Sequence, residues 1–110
     1  MKKLLTSAVL LGAMSSSLYA GCTATACSNV TVDKLYMTDT GTLYVGTSGD
    51  ENALNCGSAA TAGVYVSLKE GDVGKNAMYS LLLTAKTTGK KVTIRIKEST
   101  PDCKVFYVTN

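Results

Sequence analysis

The chain has 110 residues with 11 Lys and Arg against 8 Asp and Glu, a formal charge of +3, and it contains four cysteines, no histidine and no tryptophan. That length sets one small domain as the expectation. The absence of histidine removes Ser-His and Cys-His catalysis and the commonest metal ligand, and the modest charge gives no electrostatic footprint for nucleic acid.

Residues 1–20, MKKLLTSAVLLGAMSSSLYA, begin with Lys2 and Lys3, continue with an apolar run from Leu4 to Met14 and end in small residues up to Ala20. This is the layout of a secretory signal peptide cleaved after Ala20, which predicts a periplasmic or secreted protein. The apolar run is shorter than the about 20 residues needed to cross a bilayer, so no membrane span is expected. The competing arrangement is a lipoprotein anchored at Cys22. It would leave an odd number of thiols, and Tyr19 stands where a lipobox carries leucine. Removing Lys2 and Lys3 leaves nine basic and eight acidic side chains, a net charge of +1.

Cys22, Cys27, Cys56 and Cys103 all follow the cleavage site. An even count in a short exported chain reads as two disulfides, with three connectivities open. The spacing favours Cys22 with Cys27, closing a short N-terminal loop, and Cys56 with Cys103, closing nearly half the chain. Paired C-x-x-C knuckles are absent, so no metal site is expected.

Residues 21–29 read as a polar, disulfide-tied lead-in and 30–110 as the folded domain. VTVDKLYM, 30–37, is rich in strand formers but its alternation slips. Val30 and Val32 take one phase and Leu35 and Met37 the other, which predicts a bend or bulge. Asp39-Thr40-Gly41 is a hairpin turn. TLYVGT, 42–47, alternates with Leu43 and Val45 inward. Residues 48–63 have no periodicity and form a long loop. Its acidic triple Asp50-Glu51-Asn52 lacks the alternating oxygen ligands of a calcium loop. VYVSLK, 64–69, is the next strand, with Val64, Val66 and Leu68 inward.

In NAMYSLLLTAKTTGKKVTIRI, 76–96, the repeat changes partway. Met78, Leu81, Leu82 and Ala85 fall on one helix face, Asn76 is the expected N-cap and Gly89 the left-handed residue that ends the helix. Val92, Ile94 and Ile96 then alternate with Thr93 and Arg95 as a half-buried strand. ESTPD is a turn. CKVFYVTN closes the chain with Val105 and Tyr107 on one face and Phe106 and Val108 on the other, a strand apolar on both faces and expected to be covered on both.

The order is β-β-β-α-β-β, mainly β, and matches a small five-stranded OB-fold-like barrel with one helix, stabilised by disulfides. An open α+β sheet is the alternative. No catalytic constellation is present: the carboxylates sit in turns, and the cysteines are expected to be oxidised. No cofactor motif occurs. Tyr44 and Tyr65 fall on the outward phase of neighbouring strands and are the candidate ligand-binding pair, since tyrosine rings stack on sugars and hydrogen-bond their hydroxyls. The plain alternative is cross-strand packing.

The segment NAMYSLLLTAKTTGKKVTIRI, a cysteine about 20 residues before it and the final C-K-V-F-Y-V resemble the B subunits of subtilase-cytotoxin and pertussis-like toxins. The LNC and YSLLLTAK stretches also resemble small exported proteins of Gram-negative bacteria. The resemblance covers residues 56–110. It implies an exported OB-fold subunit that binds cell-surface glycans and assembles into a ring, a pentamer, carrying a catalytic partner. In such rings the helices line a central pore, which makes Lys75, Lys86 and Lys90 candidate pore or partner contacts. Residues 28–47 carry no match to a glycan motif of the family, so no sugar-binding residue is transferred. An envelope protein-binding or structural module without sugar binding is the other function class left by the sequence.

Overall fold

The structure is a computed structural model that describes residues 20–56 and 65–110. Residues 1–19 of the expected signal peptide and residues 57–64, the second part of the long loop with Val64, lie outside the described residues. Among the described residues no helix is long and apolar enough to cross a membrane.

Among the described residues, seven strands form two antiparallel sheets accompanied by one α-helix. They are β1 (Gly21–Cys22), β2 (Ala26–Val30), β3 (Val32–Met37), β4 (Leu43–Thr47), β5 (Val66–Leu68), α1 (Lys75–Thr88), β6 (Val92–Ile96) and β7 (Val105–Thr109). The first sheet runs β1-β2-β6-β7 and the second β3-β4-β5. The fold is thus mainly β with one helix, as the sequence predicts, but it has seven strands rather than five and the sheets do not close into a continuous barrel.

The two extra strands come from residues 21–30. GCTATACSNV carries few β-branched residues and no alternation, so it reads as a lead-in. It pairs because the disulfide places Cys22 directly opposite Cys27 in the β1-β2 hairpin, and β2 is then held on its other edge by β6. Only Thr31 separates β2 from β3, and the ladder to β4 shifts register between Val32 and Lys34. The slip in phase at 30–37 therefore marks the bend at which one extended segment leaves the first sheet and enters the second. Val30 and Val32 are both buried across it, Leu35 packs against the core, and Met37 shares the face of Leu35, opposite Leu43, but is half exposed at the end of the strand.

The opposite side is closed by less. A single parallel bridge joins Ser67 to Lys104, with the Ser67 N–H donating to the Cys103 carbonyl at 3.0 Å. The Cys56–Cys103 disulfide sits at the same place. Two disulfides and no free cysteine fit an oxidising compartment.

The core lies between the sheets. Leu43, Val45, Val66 and Leu68 from one, Val30, Val92, Ile94 and Ile96 from the other, and Leu82 from α1 are fully or almost fully buried. The helix presents most of the expected stripe: Leu82 and Ala85 are buried and Met78 packs against the cluster, but Leu81 is only half-buried and outside it, and Tyr79 packs there instead. It starts earlier than its sequence suggests. Gly74, at φ 81°, is the N-cap without a side-chain cap, and Asn76 lies inside the first turn. Two successive turns, Lys69 carbonyl to Asp72 N–H and Asp72 carbonyl to Lys75 N–H, deliver the chain into the helix and take over the role of an Asn cap.

Gly89 ends the helix at φ 74° and its N–H donates to the Ala85 carbonyl at 2.8 Å. A Cβ at this position would meet nothing within 4 Å. The cost of a side chain here is thus conformational, not steric. Gly89→Val is expected to lower stability by about 1–2 kcal/mol through the left-handed backbone alone, and an unchanged melting temperature would refute it.

In β7 the register to β6 shifts: Ile96 faces Val105 whereas Arg95 faces Tyr107. Phe106 is the extra residue of a β-bulge. The bulge overturns the expected alternation. Val105 is buried and Tyr107 is not, so they do not share a face, and both Phe106 and Tyr107 project outward with rings 5.5 Å apart.

Candidate functional site: three tyrosines on one sheet face

The outer face of the second sheet is built by register. Tyr36 of β3 lies directly opposite Tyr44 of β4, and Lys34 opposite Gly46. Tyr44 lies in turn opposite Ser67 of β5, which brings Tyr65 alongside Gly46. The alternation that sends Leu43, Val45, Val66 and Leu68 into the core sends these residues to the other side.

Three rings meet there. Tyr36 and Tyr44 have centroids 5.6 Å apart, Tyr44 and Tyr65 6.1 Å, and Tyr36 and Tyr65 6.2 Å. Tilted and edge arrangements at such distances are favourable for aromatic pairs. Gly46 makes the approach possible. A Cβ on it would stand 3.1 Å from Tyr65 Cε1 and 3.4 Å from Lys34 Cβ, so any side chain would press the ring off the sheet. The expected pair Tyr44 and Tyr65 is therefore brought together. Tyr36, the most exposed of the three at 48 %, was missed as a partner because its face depends on the register shift after Val32, which no periodicity encodes.

One border of the cluster is ionic. The Lys69 ammonium donates to Asp102 Oδ2 at 2.9 Å. The hydrogen bond to Asp102 raises the Lys69 pKa above 10.5; partial burial opposes this, and the charges of Asp102, Tyr44 and Asp72 add to the rise. The ammonium stays charged beside Tyr44. The fully buried Ser67 hydroxyl donates to the Asp102 carbonyl at 2.8 Å and fixes that segment against the sheet. Next to it, burial pushes the Asp72 carboxyl up, but the backbone N–H of Lys69 and the ammonium of Lys104, 3.0 Å away, outweigh burial and hold it below 3.8. On the opposite border Lys34 lies along Gly46.

Compared with known protein families, curated proteins and solved structures, the chain matches none. The surface is therefore read from its chemistry: three aromatic faces and phenol hydroxyls, flanked by two ammonium groups and one carboxylate.

The remaining candidates are dispersed. Lys75 is largely covered and pairs with Glu70 at 3.4 Å, whereas Lys86 and Lys90 are exposed at the other end of α1. Eleven helical residues separate Lys75 from Lys86, roughly 16 Å, so these three do not form one contact patch. The four cysteines form the disulfides Cys22–Cys27 and Cys56–Cys103. In the loop after β4, Glu51 is turned inward and its carboxylate accepts both the N–H and the hydroxyl of Thr47 at 2.6 Å. Asp50 caps the short 3-10 turn Glu51–Ala53 by accepting from the Asn52 N–H. Among the described residues no three His, Cys, Asp or Glu side chains converge in a way that would hold a metal ion.

Proposed function

We propose that the protein is an exported, non-catalytic binding module that docks a carbohydrate on the Tyr36–Tyr44–Tyr65 surface. The observation that carries this reading is the tyrosine cluster itself. Three polar-tipped rings share one sheet face, and Gly46 lets the Tyr65 ring approach it closely. Sugar rings offer apolar C–H faces for stacking and hydroxyls for phenol, ammonium and carboxylate groups.

The finer fold reading goes with it. We read the two sheets as an OB-type barrel whose first strand is the bent segment β2–β3 and whose last two strands are β6 and β7. What supports this is the passage of one segment through both sheets at Thr31 and the parallel contact of Ser67 with Lys104 on the far side. The resemblance of residues 56–110 to toxin B subunits supports a ring-forming assembly on cell-surface glycans, and the signal-peptide layout of residues 1–20 supports release to the periplasm or medium.

A glycan array probed with the processed protein, together with light scattering, tests the proposal. Tyr36→Ala is expected to weaken sugar binding about tenfold, the loss of roughly 1.4 kcal/mol of stacking, while leaving the melting temperature in place because the ring is half exposed. Array binding at background level combined with a monomer in solution would overturn it.

A further inference from the structure

A second surface, separate from the tyrosine cluster, lies along β7. On one side β7 pairs with β6; on the other, among the described residues, the only strand pairing is the bridge at Lys104. Beyond that bridge, no strand among the described residues pairs with this edge of β7. An open edge is a row of N–H and C=O groups that calls for a backbone partner.

The edge is bordered by a groove of about 410 Å³ lined by Gly71, Asp72, Val73, Met78, Lys97, Val105 and Phe106. Its apolar walls stand in solvent: Val73 is 96 % exposed and Phe106 56 %. The bulge in β7 is what turns Phe106 outward beside it.

Charge decides what fits. Residues 90–110 carry Lys90, Lys91, Arg95, Lys97 and Lys104 against Glu98 and Asp102, a net charge of +3. Residues 21–89 carry four basic and six acidic side chains, a net charge of −2. The groove's one carboxylate, Asp72, is already neutralised by Lys104 at 3.0 Å on its border, whereas the Lys97 ammonium has no ion pair among the described residues. A second copy joined edge to edge would bring two cationic sheets together. The geometry points to an extended acidic peptide segment of a partner protein, added as a strand to β7 with an apolar side chain between Val73 and Phe106 and a carboxylate at Lys97.

The test uses the disulfide-bonded protein labelled with ¹⁵N and a blocked eight-residue peptide of alternating valine and glutamate. The expected result is saturable shifts at Phe106–Thr109 and amide exchange there slowed about tenfold or more. Two control peptides, one with lysine for every glutamate and one N-methylated at alternate amides, are each expected to bind about tenfold more weakly. Lys97→Glu is expected to reverse the charge preference, and Phe106→Ala to weaken the acidic peptide about tenfold. Both positions are at the surface, so the fold is retained. Equal binding of both charge forms, no protection at β7 at millimolar peptide, or self-association that buries the β7 amides without peptide would each overturn the proposal.

Discussion

Replacing Cys56 and Cys103 together by alanine is expected to lower unfolding free energy by about 4 kcal/mol, and replacing Cys22 and Cys27 by only about 2. The difference follows from loop size: the first bridge spans 47 positions and the second 5. A chain this small buries only a modest core, so the larger loss is a substantial share of its stability. Local structure sharpens the ranking. Cys103 is buried, and its carbonyl accepts the Ser67 N–H, a backbone bond that joins β5 to the β7 side. Asp102 and Cys103 both adopt positive φ, at 63° and 50°, a conformation of non-glycine residues that persists only when held. Urea unfolding of the two double variants checks this. A long-loop variant as stable as the short-loop one would show that the Ser67–Cys103 contact does not depend on the bridge.

Leu82→Ala is expected to cost about 3 kcal/mol, and Leu83→Ala, one residue along, less than about 0.5. Leu82 is 0 % exposed at the centre of the cluster between the sheets, whereas Leu83 is 41 % exposed. The pair shares a helix and differs only in face, so helix propensity cancels in the comparison. Equal melting temperatures would mean that α1 does not plug the space between the sheets.

These two predictions draw on parts of the chain that differ in how openly they declare themselves. Met78, Leu82 and Ala85 in α1 and Val92, Ile94 and Ile96 in β6 are legible because each sits in a one-sided environment, and one-sided burial writes a period of 3.6 or 2. β2 is not legible, since Ala26-Cys27-Ser28-Asn29-Val30 is held between β1 and β6 by a disulfide and a sheet, not by an apolar stripe. The start of α1 misled because two backbone turns ending at Gly74 replaced a side-chain cap. Phe106 misled because a bulge inserts a residue without leaving a mark in composition. For the tyrosine surface, strand phase alone pointed Tyr44 and Tyr65 outward. Their meeting with Tyr36 needed the cross-strand register, and that is a property of two segments jointly.

The pairing of β2 with β6 also bears on how this chain reaches its native state. Ala26 sits opposite Arg95 and Val30 opposite Val92, so strands near the start of the described chain wait for strands near its end. Until residues 92–96 arrive, the N-terminal hairpin has no neighbour on its inner edge, and a hairpin alone is marginal in water. High sequence separation of contacts slows folding. The first sheet therefore cannot form until residues 92–96 are available to β2.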